Sequence, residues 1–294
     1  MSTWPAPLQA GDRVQLAAAS SALHHEALQR LEAGIAVLEG WGLQVDPHPD
    51  PLRQWGYLAG SDQQRRDDLQ AKAPLVACLR GGWGSARLLE QAAEPEPPQL
   101  PHWLLGFSDV TSLLWARQAA GKPGGIHGPM LTTLAAEPSW SQERLRQLLF
   151  GEALAPLAGN RWQAGVAEGP LLVGNLTVAT HLLGTRHMPE LEGAILVLED
   201  VGEAPYRLDR MLTHWRLCGS LQRLAGLGFG SFSDCDHEDS PLRCHDVLRE
   251  RTADLGIPVL GDLPVGHTPG NAALALGQRV RLDADRGELV VLQA

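Results

Sequence analysis

Three residues far apart in the chain, Ser108, Glu199 and His267, are of types that together perform acyl transfer. They supply a hydroxyl nucleophile, a carboxylate to orient an imidazole, and the imidazole as general base. Each follows an apolar run. Ser108 ends LLGFS, where a strand breaks at Gly106 just before the helical pattern VTSLLWARQAA. On such a turn the hydroxyl is exposed, and backbone N–H groups at the helix start can stabilise an oxyanion beside it. Glu199 stands with Asp200 at the exit of the apolar strand GAILVLED, and His267 lies in the Gly- and Pro-rich loop GDLPVGHTPGN after IPVL. Taken singly, each has an ordinary structural role: a Ser before Asp and Thr also signals a helix N-cap. A carboxylate at a strand end is commonly solvated, and a loop His is commonly a surface residue. Together, at loop positions following strands, they form a candidate triad. The order Ser, acid, His also occurs in α/β-hydrolases, but Val110 stands where the G-x-S-x-G elbow needs its second Gly. The same chemistry reached on a different frame is the better reading.

The elements that must position these residues alternate in the first half. GDRVQLAAAS reads as a strand; Leu28, Leu31, Ile35 and Leu38 recur at helical spacing, with Gly40 as a stop. Ser61 and Gln64 make a capping-box pattern opening SDQQRRDDLQAKA. PLVACLR is a short apolar strand, and GGWGSARLLEQAA follows as loop and helix. Near-continuously apolar strands separated by helices predict a parallel sheet covered on both faces, that is, a three-layer α/β domain. Ligands of such sheets sit beyond the carboxyl ends of the strands, which brings Arg80 to Gly84 and Gly106 to Asp109 toward one cleft.

Between about 138 and 165 the pattern turns irregular, although SQERLRQLLF inside it reads as a short helix. The expected organisation is an N-terminal α/β domain over 1–140 carrying the nucleophile, a linker region over 141–165, and a C-terminal domain over 166–294 carrying the acid and the His. In that last part Leu208, Met211, Leu212 and Trp215 share a helical face, and QRVRLDADRGELVVLQ reads as a hairpin, so its sheet should be mixed.

The 294 residues suffice for one large or two ordinary domains, each with its own core. Cys78, Cys218, Cys235 and Cys244 are too sparse for a disulfide framework and suit a reducing compartment. No basic leader and no run of about eighteen apolar residues occurs, so the expectation is a soluble cytoplasmic protein. A formal net charge of −10 with no basic block disfavours a nucleic-acid or anionic-membrane partner and favours a small molecule. Gly82-Trp83-Gly84 lies between strand and helix, but Arg87 occupies the third position of G-x-G-x-x-G, so the dinucleotide fingerprint is incomplete. The run Asp234-Cys235-Asp236-His237-Glu238-Asp239 with Cys244 and His245 lacks paired Cys-x-x-Cys spacing and reads as a solvated acidic loop.

The segments YLAGSDQQRRDDL, LRGGWGSARLL, LLGFSDVTSLL, HGPML, EGPLLVGNLTVATHLLGT, ILVLEDVGEAPYRLDRML and LPVGHTPGNAALALG, in that order from Tyr57 to Gly277, resemble the LD-carboxypeptidases. That family groups muramoyltetrapeptide carboxypeptidases with microcin-immunity serine peptidases. The resemblance implies that Ser108 is the nucleophile, His267 the base and Glu199 its orienting carboxylate. It implies an oxyanion hole from the N–H groups of Asp109 and the Gly81-Gly82 turn. It also implies an α/β N-terminal domain, a C-terminal domain with a barrel-like sheet, a site between them, a homodimer, and no metal or organic cofactor. Trp83 stands where Tyr is commoner, Phe107 where Tyr or His often occurs, and Val173 replaces a Gly of the cleft wall next to Asn175. These departures bear on the substrate more than on the reaction.

The implied substrate is murein tetrapeptide, cut before its terminal D-Ala; the alternatives are a peptidyl-nucleotide antibiotic or a non-catalytic binding role. A carboxypeptidase must hold a free terminal carboxylate, which Arg does by bidentate contact, and Arg80 is the candidate. Trp83 is the tryptophan expected near substrate, with Asn175 beside it.

Overall fold

The computed structural model describes residues 4–90, 101–236 and 241–292. The first half runs β1 (Arg13–Ala17), α1 (Leu28–Gly40), β2 (Gln44–Asp46), α2 (Asp62–Leu69), β3 (Leu75–Cys78), β4 (Trp103–Gly106), α3 (Thr111–Ala119), β5 (Gly125–His127), α4 (Leu131–Leu134) and α5 (Ser139–Leu149). The second half runs β6 (Leu157–Ala158), β7 (Asn160–Gln163), β8 (Val166–Asn175), α6 (Leu176–Leu182), β9 (Ile195–Val201), α7 (Pro205–Leu217), β10 (Gly226–Ser233), α8 (Cys244–Thr252), β11 (Val259–Gly261), β12 (Leu274–Ala275), β13 (Arg279–Asp283) and β14 (Glu288–Val291).

The apolar strands of the first half form a six-stranded sheet in the order β12-β5-β4-β3-β1-β2, parallel except for β12. Alternation along β3 shows why both faces are covered. Leu75 and Ala77 point into a core with Leu31 and Leu38 of α1, Leu131 of α4 and Leu145 of α5. Val76 and Cys78 point the other way, into a core that also holds α3 and the second sheet. The capping box forms as expected: Ser61 Oγ accepts from Gln64 N–H, and the Gln64 side chain accepts from Ser61 N–H.

The second sheet has eight strands in the order β6-β14-β13-β8-β9-β10-β11-β7, mixing parallel β8-β9-β10-β11 with antiparallel neighbours. Its two edge strands, β6 and β7, are separated in sequence by Gly159 alone, so the sheet curls almost into a closed barrel. The hairpin β13-β14 is as the sequence indicates.

Local readings are adjusted in two places. Gly40 is the last residue of α1 rather than its stop; the left-handed turn falls on Gly42, at φ 85°, whose carbonyl accepts from Gly11 N–H. The helix expected after GGWG is a single 3-10 segment, Ser85–Leu89, and its expected continuation lies outside the described residues. Strand β12, late in the chain, returns to the first sheet beside β5. That return draws the preceding loop, with His267, across the ends of β4 and β5. Among the described residues no helix is long and apolar enough to cross a membrane.

Candidate active site

Ser108 follows Phe107, two residues beyond the end of β4, at the start of the 3-10 turn Ser108–Val110 that leads into α3. Its φ of 58° lies in the left-handed region, where a non-Gly residue is strained by about 1 kcal/mol or more. Strain of this kind is held by the surroundings. A Cβ at Gly106 would lie 2.5 Å from Cγ1 of the fully buried Val110, so the tight turn requires glycine there. Val110, the residue that departs from the hydrolase elbow, fills the space that Gly106 leaves. Asp109 is also buried; its carboxylate accepts from Ser85 N–H at 2.8 Å, and its carbonyl accepts from Ser85 Oγ at 2.6 Å and Ser112 Oγ at 3.1 Å. The nucleophile turn is thereby tied to the segment after β3.

The structure brings the three distant side chains together. His267 Nε2 is 3.1 Å from Ser108 Oγ, and His267 Nδ1 is 2.6 Å from Glu199 Oε2. An ionised carboxylate only accepts, so Nδ1 carries the proton and Nε2 is free to receive one from Ser108. Glu199 lies within β9 and is completely buried. Burial alone would lower the His267 pKa, but the hydrogen bond and charge of Glu199, with the charge of Asp200, outweigh it and hold the imidazole above its ordinary 6.5.

The two adjacent carboxylates of β9 serve opposite sides. Glu199 faces His267, whereas Asp200 accepts from Asn175 Nδ2 at 2.9 Å, Thr177 N–H at 2.9 Å and Thr177 Oγ1 at 2.8 Å. Burial raises the Asp200 pKa, and Glu199 beside it adds to the rise against these donors. Asn175 Oδ1 also accepts from Val178 N–H and so caps α6. The expected substrate contact at Asn175 therefore falls on a buried amide whose oxygen and nitrogen are both engaged within the protein.

A cavity of about 250 Å³ opens on Ser108 and His267, lined also by Arg30, Arg80, Gly81, Gly82, Phe107 and Met130 among others. A Cβ at Gly81 would stand 3.3 Å from Ser108 Oγ, and Gly82 takes φ 111°. Trp83 N–H donates to Ser21 Oγ at 3.0 Å, which pins the far end of this turn. The Trp83 ring is partly exposed and meets His181 edge-on at 6.2 Å, and it is not among the residues lining the nucleophile's cavity, although Gly82 before it is. Arg80 lines that cavity, as the sequence suggests, and among the described residues it makes no ion pair.

Several supporting residues carry no sequence signal. Glu137 Oε2 accepts from the N–H groups of Gly270 (2.7 Å) and Asn271 (3.0 Å), Asn271 Oδ1 accepts from Gly266 N–H, and Ser231 Oγ accepts from His267 N–H at 3.1 Å. A Cβ at Gly266, at φ 127°, would come within 2.4 Å of Ser231 Oγ and 2.9 Å of Glu199 Oε2. Glu137 reads in sequence as an ordinary acid before a helix, and Ser231 as a strand serine. His127 of HGPML is fully buried, with the Phe107 ring edge-on at 5.7 Å; burial, reinforced by nearby His267, pushes its pKa down to about 3. Among the described residues no group of three or more His, Cys, Asp or Glu is arranged to hold a metal ion. Part of the acidic run singled out in the sequence, 237–239, lies outside the described residues.

A parallel sheet and a barrel-like sheet with a Ser, His and Glu hydrogen-bonded in series at their junction define an α/β protein of peptidase type. The chain belongs to the LD-carboxypeptidase family: residues 14–128 match its N-terminal domain and residues 168–282 its C-terminal domain. It is 48% identical over 297 residues to a Synechocystis sp. protein bearing a provisional carboxypeptidase name, covering 98% of this chain and 97% of that one. It is 36% identical over 304 residues to the murein tetrapeptide carboxypeptidase of Pseudomonas aeruginosa, covering 93% and 94%. The structure of MccF in complex with glutamyl sulfamoyl guanosine superposes with a TM-score of 0.86 at 20% identity, over 99% of this chain and 98% of that one, a likeness of fold. The protein is thus a hydrolase of the carboxypeptidase class.

Proposed function

We propose that this protein is a serine-type LD-carboxypeptidase that releases the terminal D-Ala from murein tetrapeptide. The observation that carries the reading is the unbroken series Ser108 Oγ, His267 Nε2, His267 Nδ1, Glu199 Oε2 opening on a cavity. Ser108 Oγ attacks the carbonyl carbon of the last peptide bond while His267 Nε2 takes its proton. Glu199 holds the Nδ1–H tautomer and stabilises the imidazolium. The oxyanion forms within reach of the N–H groups of Asp109 and the Gly81-Gly82 turn, each such donor being worth about a hundred- to a thousand-fold in rate. The C–N bond then breaks as His267 returns the proton to the leaving amine, giving an acyl-enzyme and free D-Ala. Water, deprotonated by His267, cleaves the ester and regenerates Ser108. The family and the Pseudomonas relative support the substrate.

Wild-type protein and Ser108→Ala are incubated with a murein tetrapeptide ending in D-Ala, with its all-L counterpart and with an acyl sulfamoyl nucleoside, and products are read by mass spectrometry. Release of D-Ala from the first alone, abolished in the variant, is expected. Turnover of the nucleoside alone would transfer the same chemistry to that substrate class, and no turnover of any would sink the reading.

A further inference from the structure

Two guanidinium groups share the nucleophile's cavity, and among the described residues no carboxylate lines it. Arg80, half-buried, donates from Nε to the Gly81 carbonyl (3.2 Å) and from Nη1 to the Ala22 carbonyl (3.1 Å). These bonds fix its planar head beside the Gly81-Gly82 turn; a Cβ at Gly82 would stand 3.6 Å from Nη2. Arg30, an exposed residue of the first turn of α1, lines the same cavity. Among the described residues neither Arg forms an ion pair. Burial lowers the Arg80 pKa, and the charge of Arg30 adds to the effect, so the two cations lie close enough to repel. A cation in the first turn of a helix also opposes the macrodipole, and α1 has no acid there to compensate. For Arg30 no ion pair among the described residues offsets that cost.

The rest of the wall is apolar or already engaged. Leu23, Ala27 and Met130 are buried side chains, Thr132 Oγ1 donates to the Leu79 carbonyl, and Thr133 Oγ1 to the Met130 carbonyl. The charged donors left for a ligand are the two guanidiniums, in a protein whose net charge is −10. A Cβ at Gly81 would stand 3.3 Å from Ser108 Oγ and one at Gly82 3.6 Å from Arg80 Nη2, so the Arg80 head and the Ser108 hydroxyl border the same two-glycine turn.

We propose that Arg30 joins Arg80 in clamping the free terminal carboxylate of the substrate, making this cavity the subsite of a single small apolar leaving residue. The proposal rests on the reading of Ser108 as the nucleophile. Two guanidiniums on one carboxylate supply the charge-assisted contacts that a neutral end cannot make. A substrate extended by one residue carries its carboxylate past the clamp, which makes the protein a strict exopeptidase.

Binding tests this without turnover. In the Ser108→Ala background, calorimetry compares acyl-L-lysyl-D-alanine with the matching D-alaninamide. The acid should bind on the order of tenfold or more tighter than the amide. Arg30→Gln should remove most of that preference, and Arg30→Lys should restore part of it. Because Arg30 is exposed and makes no ion pair among the described residues, these variants should fold as the parent does, which circular dichroism checks. Equal binding of acid and amide, or a preference that survives Arg30→Gln, would overturn the clamp. Tetrapeptide turnover by the wild type is scored separately: a binding preference without turnover would support the clamp and count against the nucleophile, whereas turnover without the preference would do the reverse.

Discussion

The turn that carries Ser108 and the loop that carries His267 reach the same point by opposite means. Ser108 is placed by its immediate neighbours: Gly106 and Val110 interlock, Asp109 ties back to Ser85, and α3 begins at once. His267 is placed by elements remote in sequence, with Ser231 of β10 holding its N–H and Glu137, before α5, holding the N–H groups of Gly270 and Asn271. Asn271 O and Ala273 O further accept from Ser141 Oγ and Arg144 Nε of α5. A strained nucleophile needs rigid local support, because one backbone angle decides where its oxygen points. A base that spans two sheets depends instead on how those sheets are joined. The difference teaches that substitutions near Ser108 should act on chemistry and local strain, whereas substitutions far from His267 in sequence should loosen the base.

The largest effect should come at the nucleophile. Ser108→Gly should cut D-Ala release by about 10⁴-fold or more, because a triad without its nucleophile keeps only binding and oxyanion stabilisation. It should also raise unfolding stability by about 1 kcal/mol by relieving the positive φ, read by chemical denaturation. A Ser108→Gly protein no more stable than Ser108→Ala would remove strain from the account.

Next is the carboxylate. Glu199→Gln should lower kcat by about 10³- to 10⁴-fold through loss of the productive tautomer. It should also shift the pH profile. His267 must be neutral to act and its pKa is raised, so the wild-type acid limb should fall above pH 6.5; without the Glu199 charge the limb should move to lower pH. An unmoved limb in kcat/KM would count against the assigned base.

The remote anchor should cost less. Glu137→Ala leaves two loop N–H groups without their acceptor, and kcat should fall about 10- to 100-fold with KM little changed. Restoration by Glu137→Gln, which keeps an acceptor oxygen, would identify a positioning role; equal loss in both variants would point to the charge instead.

In the Ser108 turn, Gly106→Ala should cost about 1–3 kcal/mol through its overlap with Val110, and Val110→Ala in the same chain should recover part of it. Simple additivity of the two substitutions would break the interlock argument. A separate effect, on stability rather than turnover, concerns His127. The unfolded chain protonates this imidazole near 6.5 while the folded chain resists to about 3, so stability should decline as pH falls below 6.5. His127→Asn should flatten that decline, measured as denaturation midpoints at pH 7 and 4.5.

Much of the fold was legible because the apolar patterning is strong. The strands β1, β3, β4 and β9, the capping box of α2 and the hairpin β13-β14 all follow from periodicity and turn chemistry. The 3-10 segment in place of a helix after GGWG was not legible. Ser85 bonds to Asp109 there, and a tertiary tie outweighs a short segment's weak helical preference. Nor could the sequence show that Asn175 is turned toward Asp200 and the α6 cap rather than into the cavity, since an Asn after an apolar strand suits either role.

By itself the sequence determined the inventory: a hydroxyl at a strand-to-helix break, an acid at a strand end, an imidazole in a glycine-rich loop, and two sheets of different character. These are properties of local spacing and residue type. Only the tertiary structure decided which of two adjacent carboxylates orients the imidazole, because alternation along β9 sends Glu199 and Asp200 to opposite sides. It alone brought Arg30 beside Arg80, because the meeting of a helix face with a distant strand end is set by how the core packs.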